Sequence, residues 1–360
     1  MPDPAPEAGG LGIQIRDLYK IFGPHAAAQV QRVKGGLSKP ELMARHQHVL
    51  GLQDINISIP PGSIQVIMGL SGSGKSTLIR HINRLIDPTA GQVLIGGADV
   101  VKMSKAELQH FRRHKTAMVF QKFALLPHRT VLENTVFGLE IRRVARPAQV
   151  DCAMRWIDRD GLSGFEGRYP NQLSGGMQQR VGLARALAND APILLMDEAF
   201  SALDPLIRMD MQSVLLDLQK EIRKTIVFIT HDLDEALRLG DQIAILRDGR
   251  IIQQGTSQDI VLHPADDYIA TFVKEVNRGR VVRAGTVMAP PAPTEGPRIS
   301  REATLDDAMR LLSRTGAQTA AVVDESGRVV GSLDLPLIIA SMAADDAGVP
   351  QNTEPVPLFS

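Results

Sequence analysis

Gly69-Leu70-Ser71-Gly72-Ser73-Gly74-Lys75-Ser76-Thr77 follows the apolar run Ile64-Gln65-Val66-Ile67-Met68, and this stretch decides the fold. The run reads as a buried strand, the glycines as a tight turn, and the residues from Lys75 onward as the start of a helix. In such a loop the glycines let the backbone curl until successive N–H groups point at phosphate oxygens, and the helix N-terminus adds partial positive charge. Lys75 then reaches the β- and γ-phosphates, and Ser76 offers its hydroxyl to Mg2+. The bare pattern arises by chance in about one chain in a hundred of this length, so the rest of the chain has to support it.

Two further segments do so. Ile193-Leu194-Leu195-Met196-Asp197-Glu198 is an apolar strand ending in two carboxylates, the form expected where one acid meets a metal shell and the next faces an attacking water. Leu173-Ser174-Gly175-Gly176-Met177-Gln178 joins small residues to a following helix and forms a second anion cradle. One nucleotide's phosphates are already filled by the first cradle.

These residues together resemble the ATP-binding cassette (ABC) ATPases over residues 13–276. The fold implied is α/β, a P-loop NTPase of ABC type with a RecA-like core, an antiparallel β subdomain and a helical signature subdomain. ATP and Mg2+ are the implied ligands. By that resemblance Gly69, Ser71, Gly72, Ser73, Gly74, Lys75, Ser76 and Thr77 hold the phosphates, and Phe22 stacks on adenine; packing in the core is the plainer reading of Phe22. Ser76, Gln121 and Asp197 form the metal shell. Gln121, in Val119-Phe120-Gln121-Lys122, also touches the attacking water and links the site to a membrane partner. Glu198 orients or deprotonates that water. His231, after the run Thr225-Ile226-Val227-Phe228-Ile229-Thr230, is similar to the switch histidine that contacts the γ-phosphate, and Ser201-Ala202-Leu203-Asp204 to the loop that communicates across a dimer. The family places Ser174, Gly175 and Gly176 of one copy on the nucleotide of the other, so the implied assembly is an ATP-sandwich homodimer that closes on binding and reopens after hydrolysis.

Composition agrees with a mechanical ATPase. The 360 residues are enough for two or three domains, and 40 Lys and Arg balance 40 Asp and Glu. With no long basic patch or aromatic interleaving, nucleic acid is not expected as a partner. Cys152 is the single cysteine, which excludes an intrachain disulfide and a cysteine-based metal cluster and suits a reducing compartment. Residues 1–12 lack a basic n-region and an apolar core and read as a disordered lead. No segment approaches the ~20 apolar residues of a membrane span. A transporter built on this chain therefore needs its channel from another polypeptide, and the resemblance implies a chain peripheral on the cytoplasmic face of the inner membrane.

Within the cassette, the first strand reads from near Ile13 to Leu18, a loop carries Phe22, and residues 24–49 read as an insertion after it. Ser38-Lys39-Pro40-Glu41 there is a capping box that starts a short helix toward His48. Residues 104–173 read as the helical part, with capping boxes at Ser104-Lys105-Ala106-Glu107 and Thr130-Val131-Leu132-Glu133. Between them Lys122 to Arg129 is an apolar loop, read either as core or as a groove for a coupling helix of a membrane subunit. The insertion, Asn83 to Thr89, Phe123 to Asn134, Glu198 to Arg208 and Ile229 to Ala236 resemble the ATPase subunits of glycine betaine/proline betaine importers. The resemblance implies an integral-membrane permease, an extracytoplasmic solute-binding protein and a quaternary-ammonium osmoprotectant. An importer of another solute, such as an amino acid, and a soluble cassette ATPase outside transport are the alternatives.

Beyond about Asn277 the pattern changes. Pro290-Pro291-Ala292-Pro293 marks a loop, Thr304-Leu305-Asp306-Asp307 caps an amphipathic helix, and Thr319 to Val323 with Val329 to Leu333 flank a turn at Asp324-Glu325-Ser326-Gly327. Residues 281–344 resemble one cystathionine-β-synthase-type (CBS-like) α+β unit. Such units work in pairs, so regulation and simple packing or dimerisation both stand as readings. Residues 345–360 read as a disordered tail.

Overall fold

The computed structural model describes residues 10–121, 124–201, 203–292 and 296–343. The expected lead up to residue 9, Lys122 and Phe123 of the apolar loop, Ala202, Pro293 and the tail from residue 344 lie outside the described residues. The boundary between two compact units falls between Ile260 and Val261.

The first unit contains the strands β1 (Ile13–Phe22), β2 (Val49–Ile59), β3 (Ile64–Met68), β4 (Ala90–Ile95), β5 (Ala98–Asp99), β6 (Thr116–Val119), β7 (Ile193–Asp197), β8 (Thr225–Thr230), β9 (Gln242–Arg247) and β10 (Arg250–Gly255). They form a sheet ordered β10-β9-β3-β8-β7-β6 and a second ordered β2-β1-β4-β5. In the first, β9, β3, β8, β7 and β6 are mutually parallel and β10 pairs antiparallel at the edge. Every residue of β3, β7 and β8 is buried, which explains their largely apolar runs: a parallel sheet covered on both faces has no solvent side to write as polar.

The second sheet is antiparallel, and its strand β2 alternates buried and exposed residues along its second half. β1 extends past the expected end near Leu18 to Phe22, which pairs with Val49. The register is broken on the way, with Asp17 and Asp54 in the left-handed region at φ 46° and 52°. Those bulges break the period that a sequence reading follows.

The helix Lys75–Ile82 lies between the two sheets. Its Leu78, Ile79 and Ile82 share one core with Ile15, Leu52 and Ile57 of the antiparallel sheet and Ile67, Leu195 and Ile229 of the parallel one. Burial of three large aliphatic side chains, at about 1.5–3 kcal/mol each, fixes the helix and therefore the loop that starts it.

Helix starts follow the capping chemistry. Ser38, Ser104 and Thr130 each accept from the backbone N–H three residues on, and Glu41, Glu107 and Glu133 reciprocate, opening the helices Lys39–His46, Lys105–His114 and Val131–Ile141. Val131, Ile157, Leu162, Leu173 and Val181 make the core of the helical layer, which takes in the helices Arg146–Arg159 and Gly175–Ala188.

In the second unit β11 (Arg298–Ser300) runs parallel to β12 (Thr319–Val323), and β13 (Val329–Asp334) pairs antiparallel with β12. The connecting turn is held by Asp324 Oδ1, which accepts from the N–H groups of Ser326 and Arg328. The helix Leu305–Thr315 is capped by Thr304 and Asp307 and ends at Gly316, whose φ of 67° no β-carbon hinders. With the helix Leu335–Ala343 the order is β-α-β-β-α, an α+β unit.

Candidate nucleotide site

The parallel strands deliver the site. β3, β8, β7 and β6 are neighbours, and their carboxyl ends lead into Gly69, His231, Glu198 and Gln121 respectively. Ligands of open α/β sheets bind at such strand ends. Four segments spread over more than 160 residues of chain thus meet because the sheet order brings them together.

Gly69, Gly72 and Gly74 have φ of 155°, 79° and 109°. A β-carbon on Gly69 would lie 2.2 Å from the Leu246 carbonyl oxygen, and one on Gly74 would lie 2.9 Å from that of Gly51. Close packing against the neighbouring backbone, together with the dihedrals, restricts these positions to glycine. Lys75 is 4% exposed and donates to the carbonyls of Gly69 at 2.7 Å and Leu70 at 3.1 Å. Burial lowers its pKa, while the Glu198 and Asp197 carboxylates pull in the opposite direction. Ser73 Oγ is buried with no hydrogen-bond partner, an orphaned group inside a loop shaped for anions.

The carboxylates face this loop. Ser76 Oγ donates to Asp197 Oδ1 at 2.8 Å, and Arg80 Nη2 lies 3.5 Å from Asp197 Oδ2. Glu198 Oε1 is 3.6 Å from Lys75 Nζ, and Glu198 Oε2 accepts from Gln121 Nε2 at 2.9 Å and lies 3.6 Å from His231 Nδ1. Glu198 donates its N–H to the Ile229 carbonyl and then turns into the left-handed region at φ 48°. A non-glycine residue there costs on the order of 1 kcal/mol, the kind of strain that persists where neighbours over-determine a side chain's direction. Gln121 stands in a turn two residues past the end of β6.

Phe22 closes the other edge. It is 40% exposed, Lys20 Nζ sits 4.9 Å from its ring centre, and Gly51 leaves room for it: a β-carbon there would be 2.7 Å from Phe22 Cε2. The Gly51 carbonyl lies 2.9 Å from where a β-carbon on Gly74 would sit, so Gly51 neighbours both the Phe22 ring and the phosphate loop.

Ser174, Gly175, Gly176 and Asp204 form a separate group. With Met177, Arg180, Leu203 and Ile207 they line an open cavity of about 420 Å3 at the N-terminus of the helix Gly175–Ala188. Ser174 Oγ accepts from Met177 N–H, and Asp204 Oδ1 caps the helix Pro205–Ile222 by accepting from Ile207 N–H. Apart from Phe22, the site residues named from the sequence therefore divide between two places in one chain: the strand ends gather Gly69 to Thr77, Gln121, Asp197, Glu198 and His231, and the signature turn gathers Ser174, Gly175, Gly176 and Asp204.

Three arginines had not been singled out. Arg80 lies one helical turn after Ser76, an i,i+4 pair that faces the same way, so spacing alone could have found it. Arg180 in the cavity wall and Arg208, whose Nη1 donates to Asp232 Oδ2, depend on tertiary placement.

Comparison with known proteins agrees with this architecture. Residues 52–201 match the ABC transporter family. The glycine betaine transport ATP-binding protein OpuAA of Bacillus subtilis is 48% identical over 324 residues, 89% of this chain and 76% of the relative. The glycine betaine/proline betaine transport system ATP-binding protein ProV of Escherichia coli is 46% identical over 90% of this chain and 81% of its own length. The trimethylamine N-oxide transport system ATP-binding protein TmoW of Pelagibacter ubique is 43% identical over 91% of this chain and 96% of its own. A methionine import ATP-binding protein, MetN of Staphylococcus saprophyticus, matches 64% of this chain at 43% identity, and 67% of its own length is covered. Among solved structures, the ATP-binding cassette MJ0796 in a dimeric post-hydrolysis state bound to ADP and Pi superposes with a TM-score of 0.59 at 32% identity, over 68% of this chain and 98% of that one. Likeness at 46–48% identity over about nine-tenths of the chain places it among the ATP-hydrolysing subunits of ABC transporters, in the family of the glycine betaine/proline betaine transport ATP-binding proteins.

Proposed function

We propose that this chain energises the uptake of a fully methylated, zwitterionic osmoprotectant of the glycine betaine type, through a separate membrane permease fed by an extracytoplasmic solute-binding protein, from the cytoplasmic face of the membrane. The single observation that carries the solute is the extent of likeness: the relatives that match about nine-tenths of the chain are named for glycine betaine, proline betaine, carnitine or trimethylamine N-oxide. The methionine relative matches only about two-thirds of it, which weighs against the amino-acid alternative. Among the described residues no helix is long and apolar enough to cross a membrane, so the channel is assigned to a partner.

In this reading the loop Gly69 to Thr77 binds the phosphates of ATP, with Lys75 leaving its own loop carbonyls for the β- and γ-phosphates, and Phe22 stacks on adenine. The all-oxygen set of the Ser76 hydroxyl, the Asp197 carboxylate and the Gln121 amide oxygen suits a hard divalent cation. Bound there, Mg2+ would neutralise charge on the phosphates. Glu198 receives a proton from the hydrolytic water or orients it. Its direction is set by Lys75 and Gln121, and His231 approaches the same carboxylate from the β8 side. Ser174, Gly175, Gly176 and Asp204 face the nucleotide of a second copy, so two chains enclose two ATP molecules. Hydrolysis then releases the pair and resets the permease.

Uptake of labelled glycine betaine by cells lacking this chain tests the proposal, with complementation by the wild type or by Glu198→Gln beside an intact permease. Rescue by the wild type alone supports it. Failure of the wild type to rescue discards the solute and leaves the ATPase in place.

A further inference from the structure

Arg208 joins the loop that carries Asp204 to the segment that carries His231. It stands in the first turns of the helix Pro205–Ile222, where Nη1 donates to Asp232 Oδ2 at 3.0 Å and Nη2 donates to the Leu203 carbonyl at 3.2 Å. Leu203 lines the signature cavity beside Asp204. Asp232 is fixed on both sides: its N–H donates to Thr230 Oγ1 at 3.0 Å, and its Oδ1 accepts from Glu235 N–H at 3.1 Å. His231 lies between those anchors, 3.6 Å from Glu198. The other end of the same loop is tied to the backbone of Glu198, for Ser201 Oγ donates to the Glu198 carbonyl at 2.9 Å. The remaining guanidinium nitrogen, Nε, is buried without a partner, an arrangement that favours the two-pronged contact over maximal stability.

We infer that Arg208 is a positioning residue which transmits the state of the signature cavity to His231, so that a nucleotide presented by a second copy sets the His231–Glu198 approach. The inference rests on the pairing proposed above. A planar guanidinium can hold Leu203 and Asp232 at once, and a lysine cannot hold both in that geometry. The bridge acts on turnover and leaves the phosphate loop of its own chain untouched.

The test is steady-state ATP hydrolysis by the full chain across a range of protein concentrations, with equilibrium binding of a fluorescent ATP analogue and melting temperatures alongside. Arg208→Ala is expected to lower kcat by about tenfold while KM and analogue binding stay within about twofold. Arg208→Lys should recover only part of the loss. Asp232→Asn keeps the helix cap but loses the ion pair, and should lower kcat in the same way, with the double variant no worse than the poorer single one. Unchanged kcat in Arg208→Ala and Asp232→Asn would overturn the bridge, as would full recovery in Arg208→Lys. So would a loss of kcat matched by losses of binding and melting temperature. Pairing is read from the wild type alone: specific activity that does not rise with protein concentration would overturn the reading beneath the inference, so the two failures separate.

Discussion

At the carboxyl ends of β3, β6, β7 and β8 the charged groups answer one another, whereas the cavity at the signature turn has no such balance. Lys75 faces Glu198, Arg80 faces Asp197, and Gln121 and His231 converge on Glu198. In the cavity the Asp204 carboxylate caps its own helix, and the rest of the wall offers a helix N-terminus, small residues and Arg180. In the proposed reading, one region is the hydrolytic centre, and the other receives an anion presented by a second copy. The same polypeptide thus carries two halves of a site whose polarities are complementary.

The strongest way to break this contrast is at its most connected point. Glu198→Gln keeps the hydrogen-bonding shape and removes the base, so ATP turnover should fall by about a hundredfold or more while nucleotide binding persists. Unchanged turnover would remove Glu198 from the reaction.

The receptor half can be damaged without touching the hydrolytic half. A side chain at Gly175 meets nothing within 4 Å, so Gly175→Asp should fold, and an acid at a helix N-terminus adds about 0.3–1 kcal/mol of stability. In the cavity the same charge repels phosphate, so we expect turnover to drop by about tenfold or more as melting temperature holds or rises. A parallel loss of both would mean that the turn is only structural.

A smaller effect sharpens the contrast further. Asp160 is 4% exposed, both its carboxylate oxygens lack partners, and its backbone carbonyl accepts from Arg180 Nη1 at 3.3 Å, just behind the cavity wall. Burial pushes its pKa from 3.8 up to about 7, with Arg180 and Arg159 opposing. Between those values the folded chain holds a proton that the unfolded chain has lost, so stability falls as pH rises through that interval, and the deficit is complete above the folded value. Asp160→Asn should therefore raise the melting temperature by a few degrees at pH 8 and change it little near pH 4, as differential thermal melts would show. An equal shift at both pH values would contradict the buried-acid account.

Much of this was legible because it is local. The phosphate loop is nine consecutive residues, and each capping box is written within four. β3 and β7 end where their aliphatic runs end, because strands buried on both faces need nothing else. β1 was read too short, since its bulges near Asp17 interrupt the alternation before Phe22. The long-range contacts were hidden: Arg208 with Asp232 and Arg180 with Asp160 depend on helix packing, which no spacing in the chain encodes. Ser174 to Gly176 reads as an anion cradle from its residues, and its separation from the phosphate loop in one chain emerges only from the fold.

Cross-linking between two differently substituted chains tests the central claim most directly. In a background of Cys152→Ser and Glu198→Gln, Leu70→Cys is carried by one chain and Gly175→Cys by the other; both positions are open, Leu70 being 50% exposed. Complementary halves predict a disulfide-linked pair that forms in the mixture when ATP and Mg2+ are present, and far less in either chain alone. Cross-linking in the mixture that is no faster than in the separate chains, with ATP bound, would contradict the account.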